Sequence, residues 1–538
     1  LLGGLALLAP SAAAQRFYPD DPVRVDPDNL SIEPPAQIEL SGGWDMIENT
    51  FGFGTPPRSL VPPARNVNTL GEVPDSSWFT NRIGQRELSL EELVRGPDRT
   101  GGPDLSSPPV VIRGKSEGIT PGFTIRDVRG DVYFIKFDPY DHPNLATSAD
   151  VIATKFFHAI GFNVPENYVA YLDPAELRLA PDATVSGGGR KDAPMTEADL
   201  TAIFDRVRQR PDGRYRVVAS LRLSGKPLGP FKFFGQRGDD PNDIFPHQDR
   251  RELRGYRLFC AFLNHDDSRA INTLDMLVEE DGRRFIRHHL IDFASTLGSG
   301  SVAPQNPRAG NEYLLDVGPL LKAALTLGIW DRPWRKVVYP DFPEIGRFEA
   351  DFFDPELWRP EHPNQAFKRM RNADAFWAAR ILSRFSEAAI RAIVHTGQLD
   401  DPAAERYLAD CLIKRRDKIV AGYLARLNPI DEIQLEGDQL RFVNLGERAG
   451  LGSVDGYQYQ WFDFDNQRQT GQPLAGPSET TEPSIRLPAP ASHPAFLQLR
   501  IRTLCPTKPG WKKAVDVYLR RAGTAKTAYQ VVGIEREE

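Results

Sequence analysis

From residue 106 onward the chain alternates apolar and polar positions in short runs. "PPVVIRGKSEG", "GFTIRDVRGDVYFIKFD" and "NYVAYL" read as β-strands. Gly130 in "RDVRGDV" lies between two β-rich runs and predicts a hairpin. Between the last two strands the period lengthens. In "SADVIATKFFHAIG", Val151, Ile152, Lys155, Phe156 and Ala159 recur at helical spacing, and Gly161 is the stop, so a helix is expected over 148–160. The order is hairpin, helix, strand. Residues 173–214 read as an inserted helix and loops, with Thr196 and Asp199 opening the helix, and "YRVVASLRL" is a further strand at 215–223.

Helical spacing dominates from 247 to about 427, as in "RRELRGYRLFCAFL", "AFWAARILSRFSEAAIRAIV" and "AAERYLADCLIKRRDKIVAGYLARL". From 431 the runs "YQYQWF", "FLQLRIRT", "KAVDVYL" and "YQVVGI" alternate between Pro/Gly/Ser-rich turns, which predicts a small β-sandwich with Trp461 in its core. Upstream, residues 15–105 are rich in Pro, Gly and Asp and read as an extended arm. Its one helix signal is "SLEE", where Ser89 and Glu92 make a capping box. The expected fold class is α+β, with segments 1–14, 15–105, 106–235, 236–427 and 428–538.

Composition changes this picture little. The chain has 538 residues, 40% hydrophobic and 26% charged, which is ordinary for a globular protein of more than one domain. Its net charge of -7 provides no global basic field, so nucleic acid is not an expected partner. "LLGGLALLAPSAAAQ" is an apolar run ending in small residues around Ala12 to Ala14. It reads as the tail of a secretory signal peptide, so an exported protein, periplasmic or secreted, is expected. No later apolar run approaches the ~20 residues of a membrane span. Of the three cysteines, Cys260 and Cys411 read as small core residues on helices, and Cys505 completes an odd count.

The chemistry is concentrated in "FLNHDDSRAINTLDML", residues 262–277, where Asn272 follows Asp267 by five positions. Twenty residues on, "RRFIRHHLIDFAS" sets Asp292 at the end of a β-rich run. A carboxylate and a carboxamide oxygen are the hard ligands that Mg²⁺ or Mn²⁺ prefers. Phosphoryl transfer also needs a strand Lys for the nucleotide phosphates and a carboxylate to take the hydroxyl proton. "VYFIKFD" offers Lys136 on a strand, and Asp150 at the start of the next helix can pair with it. Asp266 competes with Asp267 as the base; the spacing to Asn272 favours Asp267. In "IRGKSEGITPGF", the backbone around Gly114, Lys115, Ser116, Gly118 and Gly122 can cradle phosphate, and a plain hairpin turn has the same composition.

On "YFIKF", "SADVIATKFFHAIGFNVPENYV", "NHDDSRAIN" and "LIDFASTLG", residues 106–427 resemble the protein-kinase-like superfamily. Within it, the resemblance is to the atypical branch of HipA-type serine kinases and secretory-pathway kinases. It implies a bilobal protein-kinase-like fold, a small β-rich N-lobe and a larger helical C-lobe, with the β-sandwich-like domain added. It also implies ATP between the lobes, Lys136 on the phosphates, Asp267 as base, and Asn272 and Asp292 on the metal. The chain departs from the pattern in having Asp for Glu at 150, in its glycine spacing, and in "HDD" for HRD.

The expected function is therefore an exported ATP-dependent phosphotransferase acting on a hydroxyl of an unidentified protein or small-molecule acceptor. Three readings compete with it: a catalytically inactive secreted binding protein on the same scaffold, AMP transfer from the same pocket, and an HD-type metal phosphohydrolase using His247, His265, Asp266 and Asp292. Two local features carry less chemistry. "GDDPNDI" reads as a Pro-ordered turn capping the following helix, and His288 with His289 as a solvent-facing pair.

Overall fold

In a computed structural model, residues 15–115, 121–187, 190–316, 318, 321–322, 325–326, 332–489, 494–523 and 529–538 are described. The leader-like residues 1–14 lie outside that set. The chain forms two compact units. One comprises Val25–Asn66 and Val73–Gly422; the other comprises the residues up to Arg24, Val67–Glu72 and Tyr423–Glu538.

In the larger unit, two short helices interrupt the arm, α1 (Gly42–Ile47) and α2 (Leu90–Arg95). Ser89 and Glu92 cap α2 reciprocally, as its sequence predicts. Elsewhere the arm borrows partners: Ile32 N donates to Arg284 O and Ile38 N to Leu228 O, at 2.9 and 2.7 Å.

Seven strands follow: β1 (Val110–Lys115), β2 (Gly122–Arg126), β3 (Val132–Phe137), β4 (Asn167–Leu172), β5 (Arg178–Gly187), β6 (Arg190–Pro194) and β7 (Tyr215–Leu221). They make one sheet in the order β4-β7-β3-β2-β1-β5-β6. The β2–β3 hairpin pairs Arg126 with Val132, and the Asp127 carboxylate accepts from Arg129 N and Asp131 N inside the turn. Along β3, Tyr133, Ile135 and Phe137 enter the core, together with Phe123 and Val217 of the neighbouring strands. Phe134 and Lys136 alternate with them and line a cavity.

Helix α3 runs from Leu145 to Ile160, three residues earlier than its apolar period indicates. Asp138 accounts for the difference, since its Oδ1 accepts from Ala146 N and Thr147 N at 2.9 Å and caps the helix from outside its own run. The region expected to be a helix and loops holds α4 (Glu197–Phe204), with its Thr196–Asp199 box, but also β5 and β6. Strand β5 carries Pro181 and Gly187 and has weak local β character. It forms by pairing in parallel with β1, a non-local contact that leaves no local pattern.

A second sheet joins β8 (Lys226–Gly229), β9 (Thr273–Glu280) and β10 (Arg283–Leu290), in the order β10-β9-β8. The further helices are α5 (Arg251–Leu263), α6 (Gln365–Lys368), α7 (Asn372–Ser383), α8 (Glu387–His395) and α9 (Pro402–Leu424). "AFWAARILSRFSEAAIRAIV" breaks into α7 and α8 because Ser386 caps Ala389 N and starts a new helix. Cys260 and Cys411 are buried on α5 and α9, and all three cysteines are free thiols. Among the described residues, no helix is long and apolar enough to cross a membrane.

In the smaller unit, β11 (Ile430–Glu436), β12 (Gln439–Asn444) and β16 (Ser484–Arg486) form one sheet. β13 (Gly456–Asp465), β14 (Thr470–Pro473), β15 (Ser478–Thr480), β17 (Phe496–Leu504), β18 (Val515–Arg521) and β19 (Tyr529–Arg536) form the other. Ile430, Leu440 and Phe442 from the first share a core with Trp461, Leu497, Leu499 and Ile501 from the second. On the opposite face of the large sheet, Phe17 packs among Phe464, Phe496 and Tyr518.

Candidate functional site

The geometry begins at a two-residue turn. Asp281 and Gly282 both have left-handed backbones, with φ of 49° and 71°, and join β9 to β10 as a tight hairpin. This turn pairs Glu280 with Arg283, and the register runs without a bulge to Thr273 opposite Leu290. One step further, Ile291 N donates to Asn272 O at 3.0 Å. An Asp-Gly dipeptide nine residues from Asn272 on one side and from Ile291 on the other thus sets Asn272 beside the residue preceding Asp292. Two more bonds hold the segments together: His265 Nδ1 donates to Ser295 O at 3.3 Å, and Leu297 N to Leu263 O at 2.8 Å. Phe293, fully buried, stacks toward Phe157 of α3 with ring centroids 4.8 Å apart.

Asp292 itself adopts a left-handed backbone, φ 60°, which is strained for a residue with a side chain. Its Oδ1 lies 2.8 Å from Lys136 Nζ. Lys136 Nζ is also 3.8 Å from Asp150 Oδ2. Asp150 is buried, and its other oxygen accepts from Asn167 Nδ2 at 2.8 Å and Phe293 N at 3.2 Å. It sits in the second turn of α3, not at its start. Burial pushes its carboxyl up to about 6 although Lys136 opposes the shift. Burial pulls the Lys136 ammonium down, but Asp292 and Asp150 more than reverse this and leave it raised. Lys136 and Asp292 line a cavity of ≈ 470 Å³ with Gly114, Gly122, Phe134 and Thr147.

Two of the glycines expected to cradle phosphate have packing reasons to be glycine. A Cβ on Gly114 would stand 2.8 Å from Met195 Sδ, and one on Gly122 would stand 2.3 Å from Ile135 O. Lys115 ends β1 and pairs with Gly122 in the ladder. Ser116 and Gly118 lie outside the described residues.

Asn272 Nδ2 donates to Asp267 O at 2.8 Å, which leaves its Oδ1 as the end available to a cation. With Asp292, it gives the two hard oxygen donors that Mg²⁺ or Mn²⁺ accepts when substrate phosphates and water complete the shell. The residues present therefore fit a divalent ion. Asp267 is ion-paired with Arg269, two residues on. Sequence reasoning overlooked Arg269; its only signal is a basic residue inside the Asp267–Asn272 loop. Asp266 behaves differently. Gln305 Nε2 donates to its Oδ1 at 2.8 Å, and burial, with Asp267 and Glu361 nearby, pushes its carboxyl up to about 8.

The ligand set of a metal phosphohydrolase is not brought together. His247 has both ring nitrogens engaged, with Asp243 Oδ2 at 2.7 Å and Lys232 O. Among the described residues, no group of three His, Cys, Asp or Glu converges on a point. "GDDPNDI" is a turn, but Asp243 grips the His247 and Arg250 side chains instead of capping α5. His288 and His289 are not solvent-facing: His288 donates to Asp275 Oδ1 at 2.6 Å and stacks on Trp78 at 3.5 Å, and both are buried. Asp275 lies directly across the hairpin, so the register that serves the site also buries this histidine.

No protein-family model matches the chain, and no curated protein matches it. Among solved structures, the chain is similar to the crystal structure of a Helicobacter pylori proinflammatory kinase, CtkA. The TM-score is 0.29 and the identity 12%, over 58% of this chain and 96% of that one.

Proposed function

We propose that the chain is an exported, ATP-dependent phosphotransferase of kinase-like type that transfers phosphate to a hydroxyl of a protein or small-molecule acceptor. One observation carries the reading. Lys136 and Asp292 meet at the wall of a ≈ 470 Å³ cavity with Asp150 buried beside Lys136, and the segment bearing Asp292 is hydrogen-bonded to the loop bearing Asp267 and Asn272. Export rests on the sequence of residues 1–14 alone.

In this reading ATP occupies the cavity as substrate, with its phosphates over Lys136, which Asp150 holds in place. A divalent ion held by Asn272 and Asp292 would neutralise charge on the phosphates as the γ-phosphoryl group moves. The bond from the γ-phosphorus to the bridging oxygen breaks, and a new bond to the acceptor oxygen forms. The acceptor's proton passes to Asp267, whose position Arg269 and the Asn272 bond to its carbonyl fix. Asp266 suits this role poorly, because a carboxyl pushed up to about 8 is mostly protonated at neutral pH. Calorimetric titration with ATP and Mg²⁺ tests the first step. Binding to the wild type that Lys136→Met abolishes is expected; unchanged binding in that variant overturns the pocket assignment.

A further inference from the structure

A second cavity, ≈ 290 Å³ in volume, lies in the larger unit apart from the Lys136 cleft. The last turn of α3, the loop leading to β4, the residues following β7, and the β9–β10 hairpin enclose it. Its charge is unbalanced. Arg82, Arg99, Arg222 and Arg287 line it against only two carboxylates, Glu166 and Glu280. Both carboxylates are already matched. Glu166 accepts from Arg99 Nε at 2.8 Å, from Arg99 N at 2.8 Å and from Tyr168 Oη at 2.7 Å. Glu280 takes both terminal nitrogens of Arg287.

Neither Arg82 nor Arg222 is ion-paired with a carboxylate; Asp75 acts on Arg82 only from beyond ion-pair distance. Arg82 Nη1 donates to His158 O at 2.8 Å and to Phe162 O at 3.3 Å, so backbone carbonyls orient its guanidinium but do not neutralise it. Arg222 is exposed, and among the described residues its side chain has no hydrogen-bond or ion-pair partner. Two imidazoles at the cavity are held neutral, chiefly by burial. Burial, then Arg82, Lys155 and Arg95, push His158 down to about 3; burial and Arg287 push His289 down to about 4. His289 is 6% exposed and donates through Nδ1 to Arg287 O at 3.2 Å, so its Nε2 is an acceptor at the cavity wall. Two guanidiniums with no ion-paired carboxylate, beside one neutral acceptor, match a phosphate monoester, whose oxygens take charge-assisted bonds and whose monoprotonated form offers one donor. The volume sits at the lower end for small-molecule sites, about 300–1,000 Å³, which suits a compact ligand.

We propose that this cavity is a second ligand site that takes a small phosphate monoester, with Arg82 and Arg222 as its anion-holding pair. The test is calorimetric titration of the full chain with inorganic phosphate and with glycerol 2-phosphate. The proteins are wild type, Lys136→Ala, Arg222→Gln and the double variant Arg82→Gln/Arg222→Gln. The expected result is one site in the wild type, unaltered by Lys136→Ala, weakened about tenfold by Arg222→Gln and absent in the double variant. Arg222 is exposed, so its single variant reports even if the Arg82 change disturbs folding. Three results overturn the proposal: no binding of either probe to the wild type, binding that disappears with Lys136→Ala, or wild-type affinity in Arg222→Gln.

Discussion

Lys136 Nζ lies 2.8 Å from Asp292 Oδ1 and a full ångström further from Asp150 Oδ2. The helix carboxylate is an Asp, one methylene shorter than a Glu, and the ammonium settles toward the loop. One cation therefore serves two carboxylates, one of them buried, and this shared charge is the electrostatic centre of the site.

Removing that cation should be costly at neutral pH and less so in mild acid. Lys136→Met leaves Asp150 buried opposite Asp292, and about 1–3 kcal/mol of stability should be lost at pH 7. Native Asp150 holds its proton up to about 6, against the ordinary carboxylate value of 3.8. At pH 5 it is already mostly neutral and needs the cation less. Urea denaturation of both proteins at pH 7 and pH 5 should show the gap narrowing on acidification.

Adjacent carboxylates should separate by function. Asp267→Asn removes the proposed base and should lower transfer by about 10²-fold or more. Asp266→Asn mimics a group that is mostly protonated at neutral pH and still accepts from Gln305, so transfer should persist. Its stability effect has a definite sign. Folded Asp266 titrates at about 8, whereas the unfolded group titrates near 3.8. The folded state therefore binds more protons between those values, and stability drains as pH rises through them. Thermal melts should place Asp266→Asn above wild type at pH 9 and close to it near pH 4.

Two substitutions around the hairpin should divide stability from activity. Gly282→Ala puts a side chain at φ 71° with no atom within 4 Å to clash, and should cost about 1 kcal/mol while sparing transfer. Asn272→Ala deletes the bond to the Asp267 carbonyl and one of the proposed metal donors. Transfer should fall about 10²-fold and the dependence on Mg²⁺ concentration should shift upward, with little change in melting temperature. Steady-state assays across Mg²⁺ concentrations, paired with melts, distinguish the two.

In the smaller unit, Trp461 is 7% exposed and packs with both sheets. Trp461→Ala should destabilise that unit by about 3–5 kcal/mol. Hydrogen exchange resolved to β13 and β17 is the appropriate readout.

Much of this site was readable along the chain. The alternation in "VYFIKFD" placed Lys136 on a half-buried strand, the period of "DVIATKFFHAIG" placed Asp150 on the following helix, and the Ser89 and Thr196 capping boxes located two helix starts. What escaped was non-local. Strand β5 exists through its parallel pairing with β1, and α3 starts early because Asp138 reaches in from a preceding loop. His288 is buried by Asp275 and Trp78, neither of which is its sequence neighbour. Asp281-Gly282 was a local signal that went unused, and it fixes the register that sets Asn272 beside Ile291.

The most direct test is transfer from ATP labelled separately at the γ- and α-phosphate, with Mg²⁺ or Mn²⁺, using wild type, Asp267→Ala and Asp292→Ala. The acceptor is unidentified, so autophosphorylation, a set of generic protein acceptors and slow hydrolysis of ATP to labelled phosphate are all scored. Transfer of γ label by the wild type, absent from both variants, is the predicted result. Transfer of α label in its place, or no movement of either label together with no stabilisation of the protein by ATP, contradicts a phosphotransferase.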